Sequence, residues 1–177
     1  MYLSKRPAKV GNQIPSRGEM HGDDSVTALD IPLTDVMLNE RELGEIMRQP
    51  LAFKALFDDS NGMRMPFFAH IKPIALDEKI EGASIVITHG VAADSIRLAN
   101  VKLAKIKVQP CAGGMTAMDC TVQCTPELNE EVAHMLGWIN SQVEVEIDGG
   151  EFGAQAELPM DPGPEFDEVG ARRRSVQ

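Results

Sequence analysis

The stretch from Ile96 to Cys124, "IRLANVKLAKIKVQPCAGGMTAMDCTVQC", restricts the fold more than any other part of the chain. Its first half alternates in pieces. Ile96 and Leu98 share one phase, Val101 and Leu103 the opposite one, and Ala104, Ile106 and Val108 return to the first. In a strand a one-residue shift moves every side chain to the other face, so each slip demands a bulge or a bend. Ile96, Ala99, Leu103 and Ile106 also fit a helical spacing, but the β-branched content and the following "PCAGG" turn favour one long bent strand. Its partner is "MTAMDCTVQC", where Met118, Cys120, Val122 and Cys124 point one way and Asp119, Thr121 and Gln123 the other.

The long strand also concentrates cations. Lys105 and Lys107 lie on the face opposite Ala104, Ile106 and Val108, Lys102 opposes Val101 and Leu103 because of the slip, and Arg97 lies upstream. Such a row is often no more than the wet side of an amphipathic strand, where lysine also blunts edge-to-edge pairing. In the functional reading Arg97, Lys102, Lys105 and Lys107 follow a nucleic-acid backbone. Binders of single strands combine cations with aromatic faces. Phe152, the one aromatic expected on a barrel strand, faces inward, and Trp138 is assigned to core or rim packing.

Around this centre the pattern changes period several times. "VTALDIPL" suits a half-buried strand that Pro32 pushes toward a sheet edge. Asn39 and Glu42 match a capping box for a helix over about 39–48, and "LAFKALF" continues as a second short piece, with Phe53, Leu56 and Phe57 on one side. "FFAHIKPIALDEKIEG" has no settled period. The phenylalanines of "GMRMPFF" suit core filling better than an exposed apolar partner site. "ASIVITHG" is a strand bounded by glycines. Thr125 and Pro126 open a helix over about 126–139 whose Leu128, Val132, Met135, Leu136 and Ile139 must pack on the sheet. "QVEVEI" is a strand, and Asp148-Gly149 signals a two-residue hairpin into "EFGAQAEL".

From residue 83 the order is strand, long strand, strand, helix, strand, strand, as in an OB-fold. The expected class is α+β: a mainly antiparallel sheet, OB-like barrel or sandwich, with one covering helix at about 126–139 and short N-terminal helices at about 39–57. The chain divides into an extended N-terminal arm, 1–25, a single domain, 26–158, and a flexible C-terminal tail, 159–177.

Composition narrows the function. A chain of 177 residues, 43% hydrophobic and 25% charged, can bury a core without metal or disulfide staples. A net charge of −10 disfavours coating of duplex DNA, which depends on phosphate neutralisation, but permits a local cationic patch. The N-terminus lacks the apolar run of a signal peptide and no segment approaches a membrane span, so a cytoplasmic protein without membrane association is expected. Cys111, Cys120 and Cys124 form no CxxC pair, and on one strand face Cys120 and Cys124 stand about 13 Å apart, too far for a bridge. They are expected to be buried, inert thiols.

His21 with Asp23 and Asp24 reads as turn chemistry before metal chemistry. His70, His89 and His134 are scattered, with no metalloprotease spacing. No catalytic residues, metal site or cofactor site are therefore expected, and no enzyme.

The succession "RGEMHGDDSVTALDIPL", "EGASIVITHG", "LANVKLAKIKVQPCAGGMTAMDCTVQCTP" and "EEVAHMLGWINSQVEVEI", over approximately residues 17–147, resembles a family of small uncharacterised early-region proteins of tailed bacteriophages and prophages. The resemblance rests on structural motifs and carries no functional residues. It implies a host cytoplasmic location and, by genomic association, work in replication or recombination. The leading expectation is an accessory protein of phage DNA metabolism that binds single-stranded nucleic acid weakly and without sequence preference. The alternative is an acidic protein–protein interaction module, an inhibitor of a host nuclease or defence factor or a virion component, with Glu144 and Glu146 as its clearest carboxylate row. Neither reading fixes whether the chain forms a homo-oligomer.

Overall fold

The computed structural model of the chain describes residues 1–21, 24–59, 62–68, 70–90, 94–126 and 129–152. In order they form strands β1 (Tyr2–Val10), β2 (Ser16–His21) and β3 (Asp24–Leu38), then short helices α1 (Glu40–Ile46) and α2 (Ala52–Leu56). Two-residue strands β4 (Phe57–Asp58), β5 (Met65–Pro66) and β6 (Ile74–Ala75) follow. The long strands β7 (Ile80–His89), β8 (Asp94–Cys111) and β9 (Met115–Cys124), helix α3 (Asn129–Gly137) and strand β10 (Gln142–Phe152) complete the domain. Hydrogen bonding runs β1-β10-β7-β8-β9-β3, and β3 returns to β1, so six antiparallel strands close into an OB-like barrel. Beside the barrel wall, β2 pairs with β3 and β6 with β8.

The phase slips of β8 are what lets this wall bend. Ile96, Leu98, Val101, Leu103, Ala104, Ile106 and Val108 are all buried, although no single alternation joins them. The slips fall at Asn100 and Lys105, which take φ of +51° and +53°. The ladder to β9 shifts between Ala104 and Lys107, and the ladder to β7 shifts twice between Ile80 and Ile85. Each left-handed residue re-aims the strand by one position and adds twist, so both halves of β8 present their apolar side chains to one interior. The helical alternative for this segment is thereby excluded.

The N-terminal residues are barrel wall and not an arm apart from the domain. Leu3, Ala8 and Val10 of β1 are buried, and β1 pairs with β10 over most of its length. The alternation is broken by a ladder shift between Leu3 and Arg6, where Lys5 takes φ +33°, and this bulge hides the strand in the sequence. Nor is β3 an edge strand. Pro32 pairs with Thr121 on β9, while its carbonyl accepts the Gly11 N–H at 2.8 Å on the opposite side. A residue's N–H and C=O point to the same edge, so the hydrogen that proline lacks would have pointed away from β9, and no bond of that ladder is lost.

Asp148-Gly149 makes no hairpin. β10 runs straight through it, with Asp148 opposite Ser84, Gly149 opposite Ala83 and Glu151 opposite Glu81. Gly149 takes φ +76° and donates its N–H to the Met1 carbonyl at 3.0 Å, a local kink that the continuing β7 ladder spans. The expected sixth segment after residue 152, the tail at 159–177 and the start of the covering helix at 127–128 lie outside the described residues, and the Phe152 side chain is likewise not described.

Both mouths of the barrel are covered. α3 joins β9 to β10 and buries Met135 and Trp138, while Leu136, expected on the packing face, is 45% exposed. Trp138 takes its place, stacked on His89 at the end of β7 with ring centroids 5.7 Å apart. At the other mouth α1 buries Leu43 and Ile46, and α2 adds Phe53, stacked on Phe57 at 4.5 Å. The β1–β3 seam consists of only two residue pairs, Lys9 with Thr34 and Val10 with Leu33. Beyond it a charged pair reaches from β1 to α1: Arg6 Nη2 meets Glu42 Oε1 at 2.7 Å. Glu42 also closes the capping box, accepting the Asn39 N–H at 2.8 Å while Asn39 Oδ1 accepts the Glu42 N–H at 2.9 Å.

Candidate nucleic-acid interface

An antiparallel wall with one face in the core must turn its other residues to solvent, and on β8 those are the cations. Arg97, Lys105 and Lys107 are exposed, and none of the three has an ion-pair partner among the described residues. Lys105 owes its outward direction to the bulge it occupies. Lys107 stands across from Asp119 in the β9 register, but Asp119 Oδ1 accepts the Asp35 N–H at 3.1 Å. Lys102 differs. It forms a short ion pair with Glu81 on β7, and the hydrogen bond from Lys102, with its charge, holds the Glu81 carboxyl below the usual carboxylate range. The four expected cations therefore share one strand and one outer face, with three unpaired among the described residues and Lys102 paired with Glu81.

The neighbouring wall adds polar groups more than charge. Gln123, opposite Lys102, donates to Asp30 Oδ1 at 3.2 Å, and Asp30 is held in turn by Arg17 of β2. On β10, Glu144 is exposed and Glu146 half-buried, its Oε1 accepting the Tyr2 hydroxyl at 3.2 Å. The carboxylate row of an acidic mimic is thus short and partly engaged.

The aromatic faces missing from the sequence reading lie between β5 and β6, on the segment that β6 joins to this strand. Phe67 and Phe68 are 53% and 69% exposed, and Met63 and Met65 of the same segment are 71% and 47% exposed. They are not core filling. Phe53 and Phe57 are the phenylalanines buried in the core, and the exposed pair follows β5, which pairs with β4. Phe67 donates its N–H to the Leu56 carbonyl at 3.0 Å, and Gly113 in the β8–β9 turn donates to the Arg64 carbonyl at 3.0 Å. On the far side Ile74 and Ala75 pair with Val108 and Lys107, and Leu76 donates to the Ile106 carbonyl at 2.8 Å. The segment bearing the two phenylalanines is therefore tied at one end to α2 and the β8–β9 turn and at the other to the half of β8 that carries Lys105 and Lys107. Only the prolines and the lack of period hinted at such a loop; its position required the β6–β8 pairing.

No family model, curated protein or solved structure matches the chain. The interface accordingly rests on its own geometry.

Elsewhere the residues offer little chemistry. Cys120 is buried, its thiol pushed up to about 12 by burial and then by the Asp119 charge, and Cys124 is pushed up to about 11, first by burial. Cys111 alone is half-exposed. No group of three metal-ligating side chains occurs among the described residues. The His21 side chain and Asp23 lie outside what is described, and His70, His89 and His134 remain far apart in the chain, on a loop, a strand end and a helix. No helix among the described residues is long and apolar enough to cross a membrane.

Proposed function

We propose that the protein binds single-stranded nucleic acid weakly and without sequence preference, through the outer face of β8, and serves as an accessory in phage DNA metabolism. The observation that supports the reading is that exposed Phe67 and Phe68 lie on the segment that β6 ties to the half of β8 bearing Lys105 and Lys107, two lysines with no ion pair among the described residues. Cations along a groove track the phosphates, and an aromatic face accepts any base by stacking, each base contributing about 1–3 kcal/mol. Nothing in this surface presents a fixed donor–acceptor code of the kind that would read sequence. The net charge of −10 opposes polyanions at long range, so the affinity is modest and falls steeply with salt. The assignment to phage DNA metabolism comes from the resemblance alone.

The test is the fluorescence anisotropy of a labelled thymidine oligonucleotide of about twenty nucleotides at about 50 mM salt. Binding is expected for the native chain and is abolished in Lys105→Glu/Lys107→Glu. Absence of binding by the native chain under these conditions overturns the reading.

One observation favours a second reading, a protein–protein module. Met63 and Met65 extend the exposed apolar surface beyond what base stacking uses. In that case Met63→Ser/Met65→Ser abolishes recovery of a stoichiometric partner from host lysate, while oligonucleotide binding, if present, is unchanged.

A further inference from the structure

Arg64, immediately before β5, is held in place by three separate contacts, yet its guanidinium donates no hydrogen bond to any described residue. Its aliphatic stem lies against the β8–β9 turn so closely that a Cβ on Gly114 would sit 2.7 Å from Arg64 Cδ. Its carbonyl accepts the Gly113 N–H at 3.0 Å. Its guanidinium carbon stands 5.1 Å from the centroid of the Phe53 ring, an attractive cation–π placement. The nearest carboxylates, Glu40 at 3.8 Å and Asp59 at 3.7 Å, lie beyond hydrogen-bond distance. At 48% exposure such pairs contribute little and exchange readily with another anion.

Arg64 lines a cleft of about 880 Å³ between α1 and the turn, together with Gly44, Gly113 and Gly114. Arg41 and Arg48 stand on its rim, the first bonded to Glu45 at 2.9 Å and the second 3.6 Å from Glu78. At Gly113 nothing stands within 4 Å of where a Cβ would be, which leaves the backbone open to a ligand, and a guanidinium fork matches two oxygens of one phosphate. Phe67 follows Arg64 by three residues, at most about 10 Å along the chain. That is about three nucleotides at the stacked rise of a strand.

We propose that Arg64 and this cleft hold a backbone phosphate of the single strand whose bases stack on Phe67 and Phe68. The inference rests on the proposed binding function and extends its path from β8, past the two rings, over the β8–β9 turn. It has a consequence of opposite sign at neighbouring residues. The incoming phosphate displaces Glu40 and Asp59 from Arg64, so these carboxylates compete with the ligand and their neutralisation strengthens binding.

The experiment measures the affinity of the full chain for the same oligonucleotide in the native protein, Arg64→Lys and Asp59→Asn, and follows the Arg64 Nε–H resonance by NMR during the titration. Arg64→Lys keeps the stem packed on Gly114 and removes the fork; it is expected to weaken binding by about three- to tenfold. Asp59→Asn is expected to tighten it about threefold at low salt, and the Arg64 resonance is expected to shift as ligand is added. A purely structural Arg64 gives no loss of affinity in Arg64→Lys and no shift, whatever general electrostatic gain Asp59→Asn brings. If the native chain binds, Lys105→Glu weakens it and both Arg64 readouts stay silent, the cleft is overturned and the β8 interface stands. If the native chain binds no oligonucleotide, both fall together.

Discussion

At the scale of single residues, the most consequential polar contact is the one between Arg6 and Glu42. The Glu42 side chain is only 8% exposed, and its two oxygens are divided between Arg6 and the Asn39 backbone. Arg6 Nε is buried without a hydrogen-bond partner, so the arginine is held by one end of its fork. Removing the cation leaves a carboxylate enclosed with only the cap N–H to satisfy it. Arg6→Met is expected to destabilise the fold by about 2–3 kcal/mol in urea unfolding, and Arg6→Met/Glu42→Gln to recover part of the loss. An additive double variant would show that the two side chains act independently.

The thiols give a second prediction, with a definite sign. A folded-state value of about 12 for Cys120 means that the folded protein keeps its proton where the unfolded chain, near the ordinary 9.0, gives it up. Stability from this group is therefore complete below about pH 9 and is lost progressively as the pH rises toward 12. A thiol reagent at about pH 8 is expected to modify Cys111 first, and Cys120 only on unfolding. Fast native-state labelling of Cys120 would contradict its placement inside the wall.

At the scale of elements, bulges and turns carry the curvature, and each makes its own demand on sequence. Asn100 at φ +51° suits a residue that tolerates the left-handed region, so Asn100→Val is expected to cost about 1–2 kcal/mol and Asn100→Gly almost nothing. Gly113 and Gly114 both have positive φ, but only at Gly114 would a Cβ collide with Arg64. Gly114→Ala is expected to lower the melting temperature more than Gly113→Ala, because strain and collision add. Equal losses would mean that Arg64 is not packed on the turn.

β8 was legible because its slips leave a readable trace, an apolar phase that reverses twice and marks the bulges. α1 was legible through its capping box. β1 was not: a bulge within nine residues leaves only Leu3, Ala8 and Val10 as apolar signals, and Pro7 and three cations obscure them. The turn signal at Asp148-Gly149 misled because local propensity was overridden by the β7 ladder, which continues on both sides of it. The aromatic faces were missed for the reverse reason. An apolar segment in sequence suggests core, and only the whole fold shows that Phe53 and Phe57 are buried while Phe67 and Phe68 stay exposed.

At the scale of the molecule, six strands closed through a two-pair seam leave the outer face of β8 with three cations, Arg97, Lys105 and Lys107, that make no ion pair among the described residues. The overall negative charge would set the terms of the proposed binding: a slow encounter, a low affinity and an ionic-strength dependence that acts on the local patch more than on the fold. The decisive measurement is the salt dependence of oligonucleotide affinity for the native chain. Three free cations on β8 predict a slope of about −2 in log affinity against log salt, moving toward −3 if Arg64 also holds a phosphate. A slope of zero, or no binding at the lowest salt, would contradict the account.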